Sequence, residues 1–181
     1  MQEQIERILR YRKKDKIAGE NLRASAVLMP VFYSDGQYHV LFTERSDEVV
    51  FHKGQVCFPG GTQEPADSSL LETALREAEE EIGLKAEDVE ILGELDDMQT
   101  FVTNYVISPF VAFIRQPRSL KTNGREVKGA FSVPLSFLMD EANFKPESYS
   151  YEYEGHIIWG ATARILRQLV SLLNSESGAP K

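Results

Sequence analysis

The sequence lacks features that would place the protein in several other classes. It has one cysteine, Cys57, so no internal disulfide can form, as is typical of proteins from a reducing compartment. No apolar run approaches the ~20 residues that cross a bilayer. The N-terminal stretch MQEQIERILRYRKK also lacks the uninterrupted apolar segment of a secretory signal. We therefore expect a cytoplasmic protein with no membrane partner.

Positive charge is also scarce. The chain has 20 lysines and arginines against 28 aspartates and glutamates, which gives a formal net charge of -8. This balance argues against broad adhesion to nucleic acid or to anionic membranes, because both favour basic surfaces. An acidic protein that handles an anionic substrate therefore needs a metal ion or a local basic pocket.

The 181 residues have an ordinary globular composition, with 42% hydrophobic and 27% charged residues. The chain shows no internal repeat, low-complexity tract or long linker, so we expect one domain over 1–181. Within it, 1–22 are predicted to form an N-terminal helix and a solvated basic segment, and 175–181 a frayed tail.

Apolar patterning predicts strands mixed with a few helices, and hence an α/β fold. The runs ASAVLMPVFY and YHVLFTER, separated by SDGQ, predict a hairpin, and further strands are expected at VEILGEL, YVISPFVAFI and GAFSVPL. A short N-terminal helix is predicted from Ile5, Ile8 and Leu9. The C-terminal run IIWGATARILRQLVSLLN predicts a helix with Trp159 in the core and an apolar face made of Ile158, Ala161, Ile165, Leu169 and Leu172.

The stretch REAEEEIGL, at 76–84, crowds glutamates onto a predicted helix. Ser69 and Glu72 have the spacing of an N-terminal capping box, and Gly83 suits the left-handed residue that ends a helix. The core-facing stripe comprises Leu71, Ala74, Leu75, Ala78 and Ile82.

That stripe leaves Glu77, Glu80 and Glu81 together on a charged flank. Like charges three and four residues apart destabilise a helix, so we expect a compensating partner. Clustered carboxylate oxygens suit Mg²⁺ or Mn²⁺. Upstream, Gly60 and Gly61 of FPGG allow a main-chain group to approach a metal ion or a phosphate closely.

These motifs occur together in GGTQEPADSSLLETALREAEEEIGL, which resembles the signature of the Nudix family of Mg²⁺-dependent hydrolases. The second half of the signature matches completely, at Arg76, Glu77, Ala78, Glu80, Glu81, Gly83 and Leu84. The first half departs from the pattern: Ser68 stands where the family has a glutamate, and Thr62 where it has a glycine, with Gly61 displaced by one residue.

The displaced glycine resembles the branch of the family that hydrolyses coenzyme A. The preceding segment, LFTERSDEVVFHKGQVCFPGG, is similar to that branch at Leu41, Thr43, Arg45, Ser46, Gly54 and 58–61. It departs at Val50, where the branch has an arginine.

The resemblance covers about residues 23–169 and implies the Nudix fold, a mixed sheet between helices, acting on a small nucleotide-linked substrate. It is also compatible with a homodimer. Glu77, Glu80 and Glu81 resemble the metal ligands, and Arg76 the arginine that holds a glutamate of the cluster. Glu80 and Glu126 are the candidates for the base that deprotonates the attacking water. Arg45, Gly60 and Gly61 are expected to contact the substrate.

Three functions remain open from the sequence. The first is a coenzyme A pyrophosphatase that yields 3',5'-ADP and 4'-phosphopantetheine. The second is a Nudix pyrophosphatase for ADP-ribose, a dinucleotide or a nucleoside triphosphate, which the departure at Val50 favours. The third is a non-catalytic nucleotide-binding module, which the presence of all four charged residues of the signature disfavours.

Overall fold

A computed structural model describes residues 1–46, 54–100, 104–115 and 120–177. The helices are α1 (Gln2–Tyr11), α2 (Leu70–Ile82), α3 (Leu135–Met139) and α4 (Gly160–Ser177), with short 3-10 turns at Ala86–Asp88 and Glu141–Asn143. The strands are β1 (Arg23–Ser34), β2 (Gln37–Arg45), β3 (Val56–Cys57), β4 (Gly60–Thr62), β5 (Val89–Glu94), β6 (Met98–Gln99), β7 (Tyr105–Ile114), β8 (Val127–Pro134), β9 (Phe144–Lys145), β10 (Ser150–Tyr153) and β11 (His156–Ile158). No helix within these ranges is long and apolar enough to cross a membrane.

The main sheet mixes parallel and antiparallel strands. Its central path runs β3-β2-β1-β7-β5, with β8 beside β2, β4 beside β1 and β6 beside β7. Strands β1 and β7 are parallel, and the other pairs are antiparallel. Strands β9 to β11 form a second, three-stranded sheet. The fold is therefore the mixed α/β arrangement expected from the sequence.

Helices cover both faces of the main sheet. Successive strand residues point to opposite faces, and β1 shows this division. Ala26 and Leu28 pack with the apolar stripe of α2, whereas Met29 and Val31 belong to the core that α1 and α4 cover. We call these the α2 face and the α4 face.

The predicted hairpin is confirmed, with Asp35 and Gly36 at positive φ in its turn. The strands expected at VEILGEL, YVISPFVAFI and GAFSVPL are β5, β7 and β8. The predicted N-terminal helix is α1, which buries Ile5 and Leu9.

The predicted start of the C-terminal helix was wrong. Ile158 is buried in strand β11, and α4 begins only at Gly160. Gly160 has a φ of +65°, so the chain turns between the strand and the helix. Trp159 falls at this turn, outside the apolar stripe, and is 47% exposed rather than packed in the core. At its other end α4 continues through Ser177, three residues into the segment expected to be frayed.

The sequence predicted that the basic segment after α1 is solvated, but the structure shows it in ion pairs. Lys14 is 11% exposed and forms ion pairs with Glu94 and Asp97, while Arg12 pairs with Asp96. The segment is held against the end of β5 and the β5–β6 connection, because Glu94 is the last residue of β5 and the two aspartates follow it.

Candidate active site

Helix α2 is fixed at both ends, as the sequence predicted. The Ser69 hydroxyl accepts a hydrogen bond from the Glu72 amide at 3.1 Å, and Gly83 ends the helix with a φ of +70°. The capping box is only half formed, because the Glu72 carboxylate accepts from Ser68 instead of from Ser69. Ala78 and Ile82 are fully buried, which fixes the rotation of the helix and the direction of its glutamates.

Three carboxylates converge beside this helix. Glu77, Glu81 and Glu126 each offer one oxygen, and these oxygens lie within 4.8 Å of one another. The first two are one helical turn apart, whereas Glu126 directly precedes β8. Glu81 is 2% exposed and Glu126 is open to solvent. The group is therefore a deep pair of carboxylates with a third at its mouth.

Burial of the cluster disfavours the ionised form of its carboxylates. Burial, reinforced by the charge of Glu77, raises the pKa of Glu81 to about 8. Burial also raises the pKa of Glu77, against the opposing effect of Arg76. A buried carboxylate stays ionised only when cationic or hydrogen-bonding partners compensate it. Three hard oxygen donors around one point fit a divalent cation such as Mg²⁺ or Mn²⁺.

The glycine pair lets strand β4 approach these carboxylates. The Gly60 amide donates to a carboxylate oxygen of Glu81 at 3.2 Å. A Cβ on Gly61 would lie 2.2 Å from a carboxylate oxygen of Glu77. A Cβ on Gly60 would lie 2.3 Å from the carbonyl oxygen of Ala26. Only glycine at these two positions lets the β4 backbone come this close to its neighbours. The sequence analysis gave the same reason for the glycine pair.

Arg76 lies at the centre of a network rather than in one exposed ion pair. Its Nε and Nη2 donate to the two carboxylate oxygens of Asp67, both at 3.0 Å. Its Nη1 donates to Glu77 at 3.0 Å and to Glu80 at 3.2 Å. Its Nη2 also donates to the carbonyl of Thr62 at 3.3 Å. The arginine thus links α2 to β4 and orients Glu77.

Asp67 is a residue that the sequence analysis missed. Its side chain is 3% exposed and also accepts from the Thr73 hydroxyl and the Glu64 amide, both at 2.9 Å. The hydrogen bonds from Arg76 hold the pKa of Asp67 well below its usual range.

A signal for Asp67 was present in the sequence. The family glycine and glutamate are expected at positions 62 and 68, whereas Gly61 and Asp67 stand one residue earlier. Their mutual spacing is unchanged, so one insertion before Arg76 accounts for both displacements. Ser68, at the unshifted position, bonds to Glu72 instead.

Glu80 is not brought into the carboxylate group. Its side chain is 56% exposed, and its carboxylate accepts from Arg76. The helical rotation that directs Glu77 and Glu81 towards the glycine pair leaves Glu80 on the outer flank. Of the three predicted helix ligands, two therefore converge and one does not.

Arg45 ends β2 beside the buried carboxylate. Its positive charge lowers the pKa of Glu81. It also lowers the pKa of Cys57, against the larger effect of burial. Its Nε is buried without a hydrogen-bond partner among the residues that the structure describes. Burial raises the pKa of Cys57, as expected for a packed thiol rather than a nucleophile. Val50, the position that departs from the coenzyme A pattern, lies outside the described residues.

The fold and the site together define an α/β protein in which one helix presents carboxylates beside a glycine-containing strand. A model of the NUDIX domain matches residues 22–151, well over half of the chain. The chain therefore belongs to the Nudix family and is a Nudix hydrolase.

Relatives within the family extend over most of the chain. The chain is 37% identical over 164 residues to Uncharacterized Nudix hydrolase NudL of Photorhabdus laumondii, covering 85% of this chain and 87% of that protein. It is 34% identical to Nudix hydrolase 3 of Caenorhabditis elegans, covering 84% and 74%.

Solved structures share the fold at low sequence identity. An Ap4A hydrolase binary complex of C. elegans has a TM-score of 0.59 at 15% identity, covering 85% of this chain and 99% of that one. The NUDIX domain of Shewanella oneidensis NrtR, complexed with ADP ribose, has a TM-score of 0.61 at 17% identity, covering 86% and 90%. These similarities establish the fold alone.

Proposed function

We propose that the protein is a Mg²⁺- or Mn²⁺-dependent pyrophosphohydrolase of a nucleoside diphosphate derivative, and that its substrate is coenzyme A or a coenzyme A thioester. The products would be 3',5'-ADP and 4'-phosphopantetheine. The observation that carries the proposal is the convergence of Glu77, Glu81 and Glu126 beside the glycine pair. Family membership supports hydrolysis. The ADP ribose bound to one structural neighbour and the name of the other, an Ap4A hydrolase, support a nucleotide-linked substrate.

Glu77 and Glu81 would hold the cation, and Glu126 lies at the solvent side of the same group. When bound, such an ion neutralises charge on a diphosphate and lowers the pKa of a coordinated water. The remaining roles belong to the side chains of this chain. Arg76, fixed by Asp67, holds the carboxylate of Glu77 in place.

We assign removal of the proton from the attacking water to Glu126. It is the solvent-open member of the carboxylate group, so water reaches it without entering the core. Glu80 is the alternative base, but its carboxylate already accepts a hydrogen bond from Arg76 and lies outside the group. Water attacks directly, so no covalent enzyme intermediate is needed.

Arg45 is assigned to the diphosphate. A planar guanidinium recognises phosphate with two parallel hydrogen bonds. The buried Nε of Arg45 has no partner among the described residues, and its charge reaches Glu81. The Gly60 amide, which donates to Glu81, lies at the same site.

Coenzyme A is preferred because Arg45 and Ser46 match that branch and because Gly61 and Asp67 share its one-residue displacement. Val50 favours the second candidate, a pyrophosphatase for ADP-ribose, a dinucleotide or a nucleoside triphosphate. A non-catalytic binding module is disfavoured because it would gain nothing from the energetic cost of the buried Glu81.

The test is a hydrolysis assay with separated products. Purified protein is incubated with Mg²⁺ and, in turn, coenzyme A, ADP-ribose, diadenosine tetraphosphate and a nucleoside triphosphate. We expect 3',5'-ADP from coenzyme A, loss of turnover in Glu81→Gln, and normal turnover in the control Glu79→Gln, whose side chain is exposed on the same helix.

Faster cleavage of another substrate would replace coenzyme A with that compound and leave the metal assignment intact. Full activity of Glu81→Gln would overturn the metal assignment. Tight binding of one compound without cleavage would favour the binding module. Light scattering on the same preparation tests the homodimer.

A further inference from the structure

Glu126 reaches the carboxylate group from a loop that lies outside α2. Residues 120–126 form no helix or strand and lead directly into β8 at Val127. We call them the Glu126 loop. Residues 123–126 are exposed, whereas Val127 is fully buried. Burial of apolar side chains therefore does not fix the position of Glu126, and hydrogen bonds must do so.

The Glu126 loop is hydrogen-bonded to the last turn of α2. The Lys121 amide donates to the Ile82 carbonyl, and the Asn123 amide donates to the Glu81 carbonyl, both at 3.1 Å. The last four carbonyls of an α-helix have no partner within the helix, so the loop supplies donors that the helix lacks. The loop is thus tied to the residue that carries the buried carboxylate.

The side chain of Asn123 holds the other end of the loop. Its Oδ1 accepts from the Glu126 amide at 3.0 Å and from the Val127 amide at 3.3 Å. Gly124, with a φ of +70°, turns the chain between them. An asparagine oxygen that accepts from amides further along the chain is a common way to fix a turn. Asn123 therefore contacts Glu81 through its main chain and Glu126 through its side chain.

A second hydrogen bond holds Glu126 from the side of the sheet. The Ser46 amide donates to the Glu126 carbonyl at 2.8 Å. Ser46 directly follows Arg45, which is opposite Val127 in the β2–β8 ladder. The main chain of Glu126 is thus held at its carbonyl by Ser46 and at its amide by Asn123. The first contact joins two main-chain groups, whereas the second depends on a side chain that a substitution removes.

We propose that Asn123 is a positioning residue for Glu126. Its side-chain oxygen fixes the main chain of Glu126, and its own amide ties that position to Glu81. The carboxylate of Glu126 is thereby kept beside the deep pair on α2. The inference rests on the proposed function, in which Glu126 removes the proton from the attacking water. Asn123 does not touch the substrate and acts through Glu126.

Loss of the Asn123 side chain should move the carboxylate of Glu126 without unfolding the protein. Asn123 is exposed, and one hydrogen bond of this kind adds little to stability. Catalysis depends more steeply on position, because a misplacement of about 1 Å can cost about 100-fold in rate. Asn123→Ala should therefore lower kcat about tenfold to a hundredfold, with KM nearly unchanged.

The experiment measures steady-state hydrolysis of coenzyme A, or of the panel compound that the wild type cleaves fastest. Asn123→Asp keeps an oxygen that accepts from the same two amides, so it should restore most of kcat. The control Thr122→Val alters the preceding residue, whose hydroxyl has no partner among the residues that the structure describes, and should leave kcat unchanged. Equal losses in Asn123→Ala and Asn123→Asp would overturn the proposal.

A double-mutant cycle separates positioning from a general structural role. If Asn123 acts through Glu126, adding Asn123→Ala to Glu126→Gln should change kcat by no more than about twofold. A structural role independent of Glu126 would lower kcat in that background by the same factor as in the wild type. The second result would refute the assignment of Asn123 as a positioning residue.

Another measurement depends on neither turnover nor a bound cation. Amide hydrogen exchange in EDTA is followed by nuclear magnetic resonance. The amides of Glu126 and Val127 should exchange about threefold to tenfold faster in Asn123→Ala than in the wild type. Asn123→Asp should retain the wild-type rates. Unchanged exchange in Asn123→Ala would show that the side chain does not hold the loop, and the proposal would fail.

The two proposals fail in different ways. If the wild type cleaves no compound of the panel but Asn123→Ala accelerates exchange of the two amides, the proposed function fails and the hold of Asn123 on Glu126 stands. If Glu126→Gln is inactive and Asn123→Ala keeps the wild-type kcat, the proposed function stands and the positioning role is refuted.

Discussion

Glu81→Gln should stabilise the metal-free protein although it abolishes activity. The pKa of Glu81 is about 8 in the folded chain, against a usual value of 4.5. Between these values the folded state holds a proton that the unfolded state has lost, so stability falls as pH rises from 4.5 through 8. At 1.36 kcal/mol per pKa unit, the cost at pH 7 is at most about 3 kcal/mol. A neutral glutamine keeps an acceptor for the Gly60 amide and removes this cost.

The assay is urea unfolding in EDTA at pH 5.5 and pH 8, followed by far-ultraviolet circular dichroism. The wild type should lose about 3 kcal/mol of unfolding free energy between these pH values. Glu81→Gln should lose clearly less, the remaining loss coming from Glu77, whose pKa burial also raises, and the exposed control Glu79→Gln should behave as the wild type. Asp67, whose pKa is lowered, loses its stabilising effect only as pH falls below 3.8, outside this range.

Adding Mg²⁺ at pH 8 completes the experiment. The ion should restore much of the lost stability to the wild type, because it binds the folded state only, and should do little for Glu81→Gln. If Glu81→Gln is less stable than the wild type at pH 8 in EDTA, the carboxylate is not an energetic burden. The burial of Glu81 would then give no reason to expect a cation at this site.

Three further variants test the support around the cluster. Asp67→Asn breaks the paired hydrogen bonds to the arginine and should lower kcat/KM about 10-fold to 100-fold, whereas steady-state rates of Ser68→Ala should stay near wild type; equal loss in both variants would contradict the shifted spacing. Gly61→Ala places a methyl group against a cluster carboxylate and should weaken Mg²⁺ binding in calorimetry, while Gly129→Ala, with open space around it, should not. Glu126→Gln should lower kcat about 10²-fold to 10⁴-fold with KM nearly unchanged. An unchanged kcat would make Glu80, on α2, the base instead.

Local spacing allowed much of the fold to be predicted. Strands β1, β2, β5, β7 and β8 were identified because each is a short run rich in apolar and β-branched or aromatic residues between polar segments. The ends of α2 were identified because Ser69 and Gly83 act on backbone groups one turn away. Glu77 and Glu81 could be paired for the same reason, since residues four apart share one side of a helix.

Contacts between distant segments could not be predicted from spacing. Trp159 was expected to pack in the core as part of the C-terminal helix, but the turn at Gly160 leaves it exposed. Glu80 has the same residue type as its neighbours, yet rotation of α2 directs it to Arg76 and away from the cluster. Single-residue insertions, such as the one that displaces Asp67, also obscure a pattern that the folded chain restores.

The sequence by itself therefore determined the five longest strands, the family resemblance and the acidic helix, because these depend on neighbours within a few residues. Only the tertiary structure decided which carboxylates meet and that Asp67 holds Arg76. These contacts depend on strand register and on how α2 packs against the sheet. Both are set by the burial of apolar side chains across the whole chain.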